Sequence, residues 1–253
     1  MNIIKKIAAS ILAIGTGCSV AAHAAPLYST VAFTGTDNIQ ATLIAGGQTG
    51  SFTPTNGFGA PFLIPNSGVN YYEAYSPLTI TGLSIFNPTD IYTLMNAYAP
   101  VPGTTIGAYN FKFSDGSSTQ ISIVAGLNVR DFYQNPAPLF SNTFTANYVR
   151  NAFTYTNSHG GGGTGNTSTG PIGTYVIDEQ DFNISAFASG KTLVEIDLTS
   201  PNSGVPNSAT GVPILLGLTV QSTPAPEPAP LSILVTSCAI LLAVRRRVGR
   251  GVG

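Results

Sequence analysis

The chain has no tryptophan, only two cysteines and two histidines, and charged residues make up only 8% of it. Both cysteines lie near the ends, at Cys18 and Cys238, so residues 25 to 225 have none. That excludes a disulfide, a thiol nucleophile and a cysteine metal site from the body of the protein. The body's one histidine is His159, beside a Gly-rich stretch, and no Gly-x-Ser-x-Gly turn is present. A Ser-His-Asp triad would depend on that histidine alone, and zinc on one His without Cys is a poor site. Basic residues are also scarce in the body. Lys5, Lys6, Arg245, Arg246, Arg247 and Arg250 all sit at the ends. The body keeps only Lys112, Arg130, Arg150 and Lys191 against ten acidic residues, a net charge of −6. Nucleic-acid affinity rests on cations that neutralise phosphate, so this balance speaks against such a partner.

What is present at the ends is organised. Residues 1–24 read as a secretory signal peptide: Lys5 and Lys6 form the charged start and Ile7 to Val20 the apolar stretch. Ala22-His23-Ala24 then gives an A-x-A site for signal peptidase, with cleavage between Ala24 and Ala25. A lipidated Cys18 is the competing reading, but Gly15-Thr16-Gly17 before it matches the lipoprotein pattern poorly. Residues 222–230 form a Pro-rich linker containing Pro226-Glu227-Pro228, residues 231–244 an uncharged apolar run, and residues 245–253 an Arg-rich tail. Fourteen residues of helix cover roughly 21 Å, short of the roughly 20 residues a bilayer core of about 30 Å wants. Arg245, Arg246 and Arg247 would halt the segment and stay cytoplasmic by the positive-inside rule. The ordered set of Pro-Glu-Pro, short apolar helix and Arg cluster resembles the PEP-CTERM sorting signal of Gram-negative bacteria. That resemblance implies a transient inner-membrane anchor. It also implies an exosortase, a membrane transpeptidase that recognises the motif and removes the helix, and a final place at the cell surface or in the extracellular matrix.

Residues 25–221, rich in Thr, Ser, Gly, Asn and Tyr, read as one all-β domain. Val212, Ile214, Leu216, Leu218 and Val220 alternate with Leu215, Gly217 and Thr219. Val194, Ile196 and Leu198 alternate with Glu195 and Asp197. Period two over such lengths predicts strands with one buried face. Tyr109, Phe111 and Phe113 before Asp115-Gly116, with Ile121 and Ile123 after it, predict a hairpin whose Ser-rich loop exceeds two residues. Leu78 to Ile80 and Leu83 to Ile85 predict a strand bent at Gly82. Many short strands with turn signals between them point to a β-sandwich. The run from Gly160 to Gly170 reads as a flexible loop, without the Lys or the strand-to-helix setting of a phosphate loop.

Inside the body, Tyr109 to Tyr133 resembles a hairpin of galactose-binding-like domains: an aromatic strand, Asp-Gly, an apolar strand, Gly, then Asn128-Val129-Arg130-Asp131-Phe132. Ile91 to Tyr98 upstream, and Lys191 to Leu198 and Pro213 to Val220 downstream, extend the likeness to about Tyr92 to Val220. The resemblance implies a jelly-roll sandwich, and many such domains bind sugars, although fold does not establish ligand.

Two groups are candidate sites. Asn128, Arg130, Asp131 and Phe132 combine the amide, forked guanidinium, carboxylate and ring that a sugar site uses, since hydroxyls want paired donors and acceptors and a pyranose face wants an apolar plane. The same residues equally suit an internal ion pair or cap that fixes their loop. Asp178, Glu179 and Asp181, placed in a loop after Tyr175-Val176-Ile177, are the one dense acidic cluster. They are a candidate structural calcium site, which would take about six to eight oxygen ligands, or a solvated acidic turn. No cofactor is expected otherwise. Tyr71, Tyr72, Tyr75, Tyr92 and Tyr98 are plentiful aromatics, most of them accounted for by core packing. The expected function is a non-catalytic exported protein associated with exopolysaccharide or surface glycan. The alternatives are a self-associating structural surface protein and, third, a polysaccharide-active enzyme, which needs only two carboxylates.

Overall fold

The computed structural model describes residues 25–33, 50–64, 72–73, 77–134, 141–157, 173–201 and 211–224. The signal peptide up to Ala24, Tyr71, Tyr75, His159, the Gly-rich run, Pro226 to Pro228, the apolar tail segment and Arg245 to Arg247 lie outside the described residues.

The described chain is almost entirely antiparallel β. In order, the strands are β1 (Leu27–Thr30), β2 (Gly50–Phe52), β3 (Phe62–Ile64), β4 (Tyr72–Glu73), β5 (Leu78–Ile80), β6 (Ile85–Phe86), β7 (Pro88–Tyr98), β8 (Thr105–Phe113), β9 (Ser118–Val124), β10 (Val149–Asn157), β11 (Gly173–Asn183), β12 (Thr192–Thr199) and β13 (Val212–Ser222); a single helical turn, α1 (Ser185–Ala188), precedes β12. The first sheet runs β1-β13-β7-β11-β10, with β4 also on β13. The second runs β5-β12-β8-β9, with β6 also on β12. One continuous core draws on both sheets, with Ile91, Met95 and Leu218 from the first meeting Tyr109, Phe111 and Ile196 from the second. This is a two-sheet, sandwich-like architecture, as the alternating runs predict.

The predicted hairpin is β8–β9, closed by Ser114 to Ser117. Asp115 Oδ1 accepts from the Ser117 amide and hydroxyl there. The strand expected to bend at Gly82 is divided into β5 and β6, because Gly82 takes φ +76°, a region that favours glycine.

Two expectations are corrected. The β13 alternation breaks at Leu216: the register passes from Leu215 opposite Met95 to Gly217 opposite Leu94, leaving Leu216 as a bulge. Val212, Leu215, Leu218 and Val220 therefore face the inter-sheet core, while Ile214 and Leu216 face away. Nor has β13 only one buried face. The β2–β3 hairpin, residues 50–64, lies as a strap across the outer face of the first sheet. Its Ala60, Phe62 and Ile64 pack on Leu94, Ile177, Ile214 and Leu216 in a second apolar cluster. The other correction concerns Asp178, Glu179 and Asp181, which lie within β11 rather than in a loop. Pairing with β7 on one side and β10 on the other makes this segment an interior strand despite its charge.

Candidate functional site

Strands β7 and β11 pair from Asp90–Asn183 to Leu94–Glu179 and then part. The segment after β9 fills the gap. The Ala97 amide donates to the Arg130 carbonyl and the Phe132 amide to the Ala97 carbonyl, each at 3.0 Å. On the other side the Val176 amide donates to the Phe132 carbonyl (2.8 Å) and the Gln134 amide to the Thr174 carbonyl (2.7 Å). Residues 130 to 134 are thus a wedge between two strands of the first sheet.

Each residue of the Asn-Val-Arg-Asp-Phe motif has a place in that wedge. Asn128 Oδ1 accepts from the Val124 amide and its Nδ2 donates to the Ser122 carbonyl, closing the end of edge strand β9. Arg130 grips Asp178 with two parallel bonds, Nε to Oδ2 at 2.8 Å and Nη2 to Oδ1 at 2.7 Å. Asn96 completes the knot. Its Nδ2 donates to Asp178 Oδ2 and its Oδ1 accepts the Asp178 amide, extending the β7–β11 link by side chain where the ladder stops. Asp178 is fully buried, the Arg130 side chain nearly so at 14% exposure, and the guanidinium lies 4.9 Å from the Phe144 ring centre. Asp131 is buried and accepts from the Tyr133 amide at 2.9 Å; burial pushes its carboxyl up to about 6, against the pull of the Tyr133 and Ala99 amides. Arg130 and Asp131 therefore do not pair with each other. The polar atoms of the motif are spent on the scaffold, by partners that lie 48 residues away for Arg130.

The aromatic member has a different setting. Phe132 is half-buried beside Tyr98, which is 42% exposed; their ring centres are 6.1 Å apart. Tyr175 lies 5.7 Å from Phe132, and Tyr133 lies 5.1 Å from Tyr175. Four rings thus form a row at the end of the first sheet, directly joined to the wedge.

The three acidic residues of β11 are separated by the period of the strand. Asp178 joins the Arg130 knot, while Glu179 and Asp181 point to the outer face. Among the described residues no group of three or more His, Cys, Asp or Glu is placed to hold a metal. Glu179 is fully buried under the strap: its Oε2 accepts the Phe58 amide at 2.9 Å. Burial first, then the nearby charge of Asp181, pushes its carboxyl up to about 7, against the pull of the Phe58 and Ala60 amides and of Arg150. Burial and Asp90 raise Asp181 to about 6. Tyr28 and Tyr92 stand beside these carboxylates, their rings 6.1 Å apart and both phenols pushed up by burial and the acidic neighbours.

Asn96 and Arg150 escape a reading of the sequence by motif. The signal for Asn96 is a lone amide in Leu94-Met95-Asn96-Ala97, a buried polar group that must find a partner across strands. Arg150 carries no comparable mark. No protein-family model matches the chain, and neither characterised proteins nor solved structures give a match.

Proposed function

We propose that the chain is a non-catalytic exported protein of the cell surface or extracellular matrix, delivered as an exosortase substrate, whose jelly-roll, galactose-binding-like body contacts glycan. The sorting reading rests on Pro226-Glu227-Pro228, the apolar run after it and Arg245 to Arg247. The glycan reading rests on one observation, the row of rings from Tyr98 through Phe132 to Tyr175, set on the wedge. A ring whose backbone is bonded to strands on both sides, as that of Phe132 is to Ala97 and Val176, loses little freedom when a sugar face stacks on it, and such preorganisation favours binding. Because Asn128, Arg130 and Asp131 are engaged internally, the rings rather than the charges carry the contact. Asp131, Glu179 and Asp181 are the described carboxyls raised toward neutrality; Asp131 is buried and tied to the Tyr133 amide. With the strap closed, Glu179 is buried beneath it, out of reach of a polysaccharide, which supports a binding role over hydrolysis.

The test is sedimentation of the purified full-length chain with the producing cell's own exopolysaccharide, beside Tyr98→Ala and Phe132→Ala. Saturable binding that both substitutions weaken supports the reading; equal binding by all three removes it. The second reading, a self-associating structural protein, draws on edge strand β9, whose Ser118–Val124 run has neither charge nor proline to discourage strand pairing. Concentration-dependent oligomers without glycan binding would favour it.

A further inference from the structure

The strap over the first sheet is uncharged from Gly50 to Ile64, so its only charged contacts come from the face beneath. At its tip two such groups take hold of backbone. Arg150 Nη1 donates to the Gly57 carbonyl at 3.1 Å, and its guanidinium lies 4.2 Å from the Phe58 ring centre. Glu179 Oε2 accepts the Phe58 amide. The approach is so close that a Cβ on Gly57 would stand 1.7 Å from that oxygen, so glycine is what lets the carboxyl reach the tip.

The other carboxyl oxygen, Oε1, is buried and has no hydrogen-bond partner among the described residues; the same holds for Oδ1 of Asp181. A carboxylate with one oxygen buried and unpartnered costs far more when ionised than when protonated, since an unpaired neutral group loses much less solvation than an unpaired charge. The titratable and charged groups facing Glu179 are Arg150 from β10, Asp181 from its own strand, Tyr92 from β7 and Tyr28 from β1, with Asp90 of β7 behind Asp181. Two carboxyls against one guanidinium disfavour a further negative charge.

We propose that Glu179 is a proton-operated latch: its neutral carboxyl holds the Gly57–Ala60 tip against the sheet, and its ionisation releases the tip. Released, the tip hydrates the carboxylate and uncovers Tyr92, whose ring lies 6.4 Å from Phe58 in the closed arrangement. The face exposed is acidic and tyrosine-lined. The sign follows from linkage. Held closed, the Glu179 carboxyl titrates near 7, against an ordinary value of 4.5. The closed form therefore binds the proton more tightly, and closure weakens as pH rises from about 4.5 through about 7. The full change in the closed-to-open ratio is at most roughly 300-fold.

Because the chain has no tryptophan, Phe58→Trp places a single reporter at the tip. In full-length protein, its emission is expected to shift to the red and its quenching by iodide to rise with a midpoint near pH 7. The Phe58→Trp, Glu179→Gln protein is expected to show neither change between pH 5 and 9. To cover a reporter that disturbs the tip, amide chemical shifts of Phe58 and Ala60 are followed in the otherwise native chain and in Glu179→Gln. Titration near 7 that is lost in Glu179→Gln supports the latch. No titration, or the same titration in both proteins, overturns it.

Discussion

Asp178 and Glu179 are neighbours on β11 and both are fully buried, yet the two faces of the sheet treat them in opposite ways. On the inter-sheet side Asp178 meets Arg130 through two bonds and Asn96 through a third. On the outer side Glu179 has amide donors for one oxygen, none for the other, and a second carboxylate two residues along. One residue of register thus separates a charge that is tied into the scaffold from a carboxyl that holds its proton near neutrality. Burial alone decides neither outcome; the count and charge of the donors around each oxygen does.

The largest expected effect comes from breaking the satisfied side. Arg130→Ala leaves Asp178 buried without its cation, and such a loss is expected to cost about 3–5 kcal/mol. The knot also joins the wedge to β11, so packing around Phe144 and Phe132 should loosen with it. Urea unfolding at pH 7 is the measurement, and a loss below about 1 kcal/mol would mean the pair is not what holds the wedge. On the other side the expected effect is smaller and opposite in sign. Glu179→Gln is expected to match the parent protein in stability near pH 5 and to exceed it by on the order of 1–3 kcal/mol at pH 8, where the parent has ionised a buried carboxyl. Melting at the two pH values checks this.

The difference between the faces also marks what could be read from residues alone. Strands β8, β9, β12 and β13 announce themselves by period two, and the loop around Asp115-Gly116 by its turn residues. The Leu216 bulge does not, because an inserted leucine among leucines leaves no trace in the pattern while shifting the phase of every later side chain. The second buried face of β13 depends on a strap from more than 140 residues earlier in the chain, which periodicity within the strand cannot convey. Asp178 to Asp181 look like a loop because strands that carry three acids need distant partners, Arg130 for one and the strap amides for another. For the same reason the Asn-Val-Arg-Asp-Phe motif was readable as chemistry but not as a wedge: its bonds run to Ala97, Thr174, Val176 and Asp178 rather than to one another.

Asp181 sharpens the contrast by a finer step. Its charge raises Glu179, whereas Arg150 lowers it. Asp181→Asn is therefore expected to move the Glu179 midpoint below 7 by a fraction of a pH unit to about one, with little change at pH 5. The Phe58 amide shift follows it directly. An unmoved midpoint would leave burial as the whole cause and make the outer face a matter of solvation rather than of paired acids.

The smallest effect on stability is expected at Tyr98, and there the small size is the point. Its ring is 42% exposed and touches Phe132 at the margin of the row, so Tyr98→Ala should change unfolding free energy by no more than about 0.5 kcal/mol. If the row stacks on sugar, the same substitution removes a stacking ring beside the wedge-held Phe132, and glycan affinity should fall by roughly tenfold or more. A residue whose loss spares the fold but weakens binding belongs to a surface kept for a ligand. Were Tyr98→Ala to leave binding intact while Arg130→Ala abolished it only by unfolding the wedge, the row would be packing alone, and self-association through the β9 edge would become the better account of what this protein does.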